Sequence, residues 1–146
     1  VKFQIIQAGY GGVHTGTTTD TAKVTVPMPV LKNNSQVRVL VYVAQTGNTN
    51  MKALNVRYGG ASVGGTYDTT ESQAIALRGE FTIQNKNSLT AQATTFAIGE
   101  RSFTYLSDND IAVNSGVAQN LTINLQLGNV ADQQEILHYS VEVANP

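Results

Sequence analysis

Cysteine and tryptophan are absent from this 146-residue chain, proline occurs three times, and only 13% of the residues are charged. Without cysteine there is no disulfide framework, no thiolate nucleophile and no thiolate metal site. The charged share is about half the usual value of roughly 25%. That excludes a coiled coil or a solvated helical bundle, whose exposed faces would be laced with Glu and Lys. Nine basic residues against ten acidic ones leave a net charge of −1, with an isoelectric point near 6.1. A chain so balanced has no electrostatic footprint for nucleic acid or an anionic membrane. No apolar run approaches the roughly 20 residues of a membrane-spanning helix, so no membrane insertion is expected. Val1 to Gly9 lacks the basic-then-apolar layout of a signal peptide. The first residue is Val rather than Met, and the chain reads as one domain over residues 1–146, the C-terminal fragment of a longer protein. At this length about 68–70% of the unfolded surface can be buried, enough for folding on a core alone.

The missing charge is replaced by 17 Thr, 13 Asn, 11 Gln and 8 Ser, and the dominant hydrophobic period is two. Val37, Val39, Val41 and Val43 alternate with Arg38, Leu40, Tyr42 and Ala44. The second set is itself largely apolar, which predicts a central strand covered on both faces, by its own chain or by a subunit neighbour. Ile75, Leu77, Gly79, Phe81 and Ile83 repeat the alternation, as do Leu121, Ile123, Leu125 and Leu127. The last segment predicts Leu137, Tyr139, Val141 and Val143 inward, with His138, Ser140 and Glu142 outward. On a helix each apolar set would circle the cylinder. Further strands are predicted over 2–8, 22–28, 51–58, 88–97 and 102–106, with Pro27 and Pro29 ending the second of these. Turn signals separate them at 9–12, 32–35, 46–50, 59–65, 85–87, 107–110 and 114–116. Nine or ten short strands with turns at this spacing read as an all-β, antiparallel β-sandwich of jelly-roll type.

Chemistry-bearing motifs are sparse. His14 and His138 lack the clustering of a zinc site and read as surface histidines. The Gly9–Gly12 stretch is a turn rather than a phosphate loop, because no Lys-Ser or Lys-Thr helix start follows it. Asp108, Asn109 and Asp110 could gather oxygen ligands for Ca²⁺. The EF-hand continuation is missing, however, and an Asx-type turn is the reading. Asp68 and Glu71 are close in sequence, but that proximity does not set the separation glycoside hydrolysis demands. No acyl-transfer signature is present. No catalytic residue, metal or cofactor is assigned, and the chain is not expected to be an enzyme. Asn33-Asn34-Ser35 and Asn120-Leu121-Thr122 match the glycosylation acceptor by chance in so Asn-rich a chain. Tyrosines carry more weight. Tyr10, Tyr58, Tyr67 and Tyr105 fall in or beside predicted loops, with Arg57, Arg101 and the Asp108–Asp110 run nearby in sequence. A tyrosine ring can stack on a sugar while Asp, Asn and Arg fix its hydroxyls. Tyr10, Tyr67, Tyr105, Arg101, Asp108 and Asp110 are therefore the glycan-binding candidates, chosen by loop position and side-chain chemistry.

Two stretches carry a family resemblance. Thr17-Thr18-Thr19 leads through Lys23-Val24-Thr25-Val26-Pro27-Met28-Pro29-Val30 into the strand from Val37. Near the end, Leu125-Gln126-Leu127-Gly128-Asn129-Val130-Ala131-Asp132 precedes Ile136-Leu137-His138-Tyr139-Ser140-Val141-Glu142-Val143. Together these resemble the C-terminal β-sandwich module of bacteriophage tailspikes and tail fibres, over about a third of the chain. The resemblance implies a homotrimer at the tail tip of a virion, locking three chains together or contacting host cell-surface polysaccharide. Depolymerase activity in that family belongs to an upstream β-helix, whose repeat rungs are absent here. Two other readings fit the sequence: a secreted or cell-surface carbohydrate-binding module appended to a glycoside hydrolase, and a jelly-roll capsid or decoration protein.

Overall fold

The computed structural model describes residues 2–64, 76–99 and 105–146, with backbone alone for 105–108. It is all-β, with no helix among the described residues. Eleven strands are described: β1 (Gln4–Gly9), β2 (Gly12–Thr15), β3 (Thr21–Met28), β4 (Gln36–Gln45), β5 (Lys52–Tyr58), β6 (Ala61–Gly64), β7 (Ala76–Asn85), β8 (Gln92–Gly99), β9 (Tyr105–Ile111), β10 (Gln119–Leu127) and β11 (Gln133–Ala144). One sheet has seven strands in the order β1-β11-β4-β7-β8-β9, with β2 also paired to β11, and the other has four in the order β3-β10-β5-β6. Every pairing is antiparallel. This is the sandwich that the period-two pattern predicts.

The inner faces make one core. Val37, Val39, Val41 and Val43 of β4, Leu77, Phe81 and Ile83 of β7, and Val141 and Val143 of β11 pack against Val24 and Val26 of β3, Leu54, Val56 and Tyr58 of β5, and Leu121, Ile123 and Leu125 of β10. Each fully buried aliphatic or aromatic side chain contributes about 1.5–3 kcal/mol relative to exposure. Phe81 and Phe96 stack across β7 and β8, their ring centroids 6.1 Å apart. Between Tyr58 and Ala61, Gly59 and Gly60 both take positive φ, 55° and 83°. That is the two-residue hairpin geometry that glycine alone enters without steric cost. β3 stops at Met28, between the two prolines that cannot donate to a ladder.

Three predictions change in the folded chain. Leu137 is not inward: it is 49% exposed. The register of β11 against β4 shifts between Ile136 and His138, which makes Leu137 the extra residue of a β-bulge. A bulge reverses the parity of everything beyond it. Gln134 and Ile136 are buried before it, and Tyr139, Val141 and Val143 after it. The stretch at 107–110 is strand rather than turn, since β9 pairs with β8 from Tyr105 to Ile111. The predicted strand over 88–97 begins only at Gln92, because Ser88 and Thr90 form a turn closed by a hydrogen bond from Thr90 N to Ser88 Oγ. Two short strands, β2 and β6, went unpredicted; four residues are too few to show a period.

Buried polar residues tie the sandwich at its ends. At one end Asn85 Nδ2 donates to Lys32 O (2.7 Å) and Ser115 Oγ (2.9 Å). Gln92 Nε2 donates to Asn85 Oδ1, and Gln92 Oε1 accepts from Val113 N at 2.9 Å. A second buried cluster surrounds Lys52. Its ammonium donates to Asn48 Oδ1 (2.7 Å) and Asn50 O (2.9 Å) and lies 3.7 Å from Asp132 Oδ2. Asp132 in turn accepts from Asn48 and Asn50. The two groups thereby satisfy the hydrogen-bonding demand that burial imposes on them.

Candidate binding face

The two candidates with described side chains, Tyr10 and Asp110, do not converge. Tyr10 lies in the β1–β2 turn, 60% exposed, and its hydroxyl donates to Glu135 Oε1 at 2.7 Å. That hydrogen bond, with smaller contributions from burial and the Glu135 charge, raises the phenol pKa. Asp110 sits on β9 at the opposite edge of the sheet, exposed, with Lys86 Nζ 3.2 Å away. Four strand spacings separate β11 from β9, about 19 Å. Tyr67 and Arg101, with Asp68 and Glu71, fall outside the described residues. Tyr105 and Asp108 belong to β9 by their backbone alone. Two sequence readings need correction. Tyr58 is no loop or rim residue but is fully buried, and burial pushes its hydroxyl pKa up to about 12. His14 is no surface histidine: it is 3% exposed, facing inward from β2 opposite Gln134. His138 is exposed on the outer face, as its position in the alternation predicts.

The structure gathers side chains elsewhere, on the outer face of the seven-stranded sheet. Register places Glu142, Arg38 and Thr82 in one row across β11, β4 and β7, and Ser140, Leu40 and Glu80 in the next. His138, Tyr42 and Arg78 form a third row. Arg38 binds Glu142 Oε2 through Nε at 2.8 Å and Nη2 at 2.5 Å, and its guanidinium lies 3.9 Å from the centre of the Phe3 ring. Arg78 Nη2 is 2.9 Å from Glu80 Oε1, and the Arg78 Cζ lies over the Tyr42 ring, 5.8 Å from its centroid. Tyr42 and His138 face each other with ring centroids 6.3 Å apart. At the centre is a shallow depression of about 240 Å³ bounded by Leu40, Ser140, Arg38, Glu80 and Glu142.

The alternation in β4 predicted cover on both faces. In the folded chain the valine face is buried while Arg38 and Tyr42 are exposed and Leu40 and Ala44 are half-buried. Sequence reasoning missed this face as a site because its members come from three strands about forty to sixty residues apart. The available signal was the unusual second side of β4, an aromatic and an arginine among aliphatics. Among the described residues no group of three or more His, Cys, Asp or Glu could hold a metal ion. No helix among them is long and apolar enough to cross a membrane.

No family model matches the chain, and no curated protein does. Among solved structures, a bifunctional GH43-CE protein of Bacteroides eggerthii matches at 7% identity with a TM-score of 0.51, over 88% of this chain and 20% of that one. The Emp46p carbohydrate recognition domain in its potassium-bound form matches at 8% identity and TM-score 0.48, over 92% and 88% of the two chains. Lectin II from Ulex europaeus matches at 9% identity and TM-score 0.45, over 99% and 92%. At such identities the likeness concerns the fold alone: an antiparallel β-sandwich of jelly-roll type.

Proposed function

We propose that this chain is a non-catalytic module that binds glycan through the outer face of its seven-stranded sheet. The observation that carries this reading is the Tyr42, Leu40 and Ser140 surface bracketed by the Arg38–Glu142 and Arg78–Glu80 pairs. An exposed tyrosine ring and an aliphatic floor suit the apolar face of a pyranose. Paired guanidinium and carboxylate groups present donors and acceptors side by side for neighbouring hydroxyls. The formal charges of the four groups cancel, which favours a neutral ligand. Both carboxylates are engaged by arginine in an open depression, an arrangement for holding a ligand rather than for proton transfer.

The context we propose is the phage tailspike or tail-fibre tip, on the strength of the two stretches that resemble that family. Three copies there would convert weak single-site attachment into avidity for host cell-surface polysaccharide. The alternative is a carbohydrate-binding module within a longer enzyme. It draws on the match to one fifth of the GH43-CE chain, a likeness of fold. Light scattering at micromolar concentration separates the two, with three chain masses for the tail module and one for the appended module. On a glycan array, Tyr42→Ala is expected to lose binding while its melting temperature stays within a few degrees of the parent. Tyr67 and Arg101, with Tyr105 and Asp108 of β9, remain the other candidates. If Tyr67→Ala or Tyr105→Ala loses binding and Tyr42→Ala keeps it, the sheet face is not the site.

A further inference from the structure

The geometry points to an extended site: the outer face takes a linear, neutral polysaccharide lying along β4, several sugar units at a time. This rests on the glycan reading above and adds the shape and charge class of the ligand. Three depressions follow one another along this strand rather than one pit standing alone. The first, about 410 Å³, is bounded by Ala44, Thr46, Gln133 and Glu135. The central one holds Leu40 and Ser140. The third, about 310 Å³, is bounded by Phe3, Gln36, Thr82 and Gln84 and shares Arg38 with the centre. Of these, Ala44 and Glu135, Leu40 and Ser140, and Gln36, Arg38, Thr82 and Gln84 lie on the outward side of one register, β11 against β4 and β4 against β7. From Gln36 to Ala44 the strand rises about 27 Å, far longer than one sugar ring.

The chemistry changes along this line in a way that suits a polymer. The middle carries the aromatic ring and the two ion pairs, while the ends carry uncharged amides and hydroxyls from Gln133, Thr46, Gln36, Gln84 and Thr82. The middle therefore supplies stacking and fixed dipoles, and the ends supply hydrogen bonds to hydroxyls of flanking units. The three depressions line up along one strand between its two neighbours, which fits an unbranched chain. Arg38 and Arg78 balance Glu80 and Glu142, leaving only Glu135, already bonded to Tyr10. With no cationic surplus, a polyanionic chain gains nothing from this surface, and binding should change little with salt.

Calorimetric titration of the full chain with cello-, xylo- and manno-oligosaccharides of one to six units tests this. The expected result is affinity in at least one series rising about tenfold or more from the disaccharide to the hexasaccharide, near-insensitive to salt. Gln133→Ala, at an exposed position, and Gln84→Ala, at a half-buried one, should weaken the hexasaccharide several-fold and leave the disaccharide unchanged. Tyr42→Ala should weaken both. Equal affinity for disaccharide and hexasaccharide overturns the extended site while leaving the glycan reading in place. Absence of binding across all three series overturns the inference and counts against the reading. So does a multimer that Tyr42→Ala dissociates, since the face would then be an interface between copies.

Discussion

Two clusters in this molecule each pair a cation with a carboxylate, in opposite surroundings. Around Lys52, a buried ammonium and carboxylate are joined by two half-buried asparagines, the side chains of Lys52 and Asp132 being 0% and 6% exposed. On the outer face, Arg38 and Glu142 form a shorter pair at 51% and 23% exposure. The buried pair is held at 3.7 Å by Asn48 and Asn50 as much as by its own attraction. Its role is to close the sandwich end, joining the segment before β5 to the turn before β11. The exposed pair contributes little to folding, because water screens it and two long side chains lose freedom to form it. What it offers is an oriented set of donors and acceptors that a ligand can reach. Ion-pair length alone would rank the two wrongly, and burial decides what each one does.

Removing one partner of the buried pair is the largest break. Lys52→Met leaves Asp132 buried without its cation and is expected to cost about 3 kcal/mol, read as a fall in melting temperature of about 10 °C. Glycan binding at the outer face should persist at temperatures where the variant is folded. Acid probes the same cluster from the carboxylate side. Burial works to raise the Asp132 pKa, but hydrogen bonds from Asn50 and Asn48 and the nearby Lys52 charge outweigh it, holding the carboxyl below its usual 3.8. The unfolded chain therefore binds the proton more readily. The stabilisation is complete above about pH 4 and disappears as pH falls through the folded value. A melting series from pH 5 to pH 2 should show this loss in the parent and less of it in Asp132→Asn.

A second pH window, higher and smaller, belongs to His14. Burial lowers its pKa below 6.5, Lys23 lowers it further, and Asp20 opposes both. Its Nε2 is buried with no hydrogen-bond partner among the described residues, so the neutral ring is the form the fold accepts. Protonation then favours the unfolded chain. Stability is full above about pH 6.5 and declines as pH drops toward the folded value. Melting temperature should fall by a few degrees between pH 7 and pH 5, and His14→Leu should flatten that slope. The smallest effect on folding is at the exposed pair. Arg38→Ala is expected to change stability by less than about 1 kcal/mol while weakening glycan binding measured by titration. A large loss of stability there would erase the contrast between the two clusters.

Strand content was legible from residue order because a half-buried strand must alternate. In Val37 to Val43 and in Leu121 to Leu127 one apolar set alternates throughout, and each set is buried as read, although the second side of β4 is open rather than covered. The turn at Gly59-Gly60 was legible for a similar reason, since positive φ is a conformation glycine favours, but the strand β6 that completes the hairpin was not. The bulge at Leu137 was not, because an extra residue in one strand is defined only by its partner's register. The proposed binding face was hidden for the same cause. Tyr42 and His138 stand side by side, as do Arg38 and Glu142, across 96 and 104 residues of sequence respectively, with β11 returning to lie beside β4. Local sequence determined which residues form strands and which side of each is apolar. Strand order, decided only when both sheets close over their shared core, determined which polar side chains meet on the outer face.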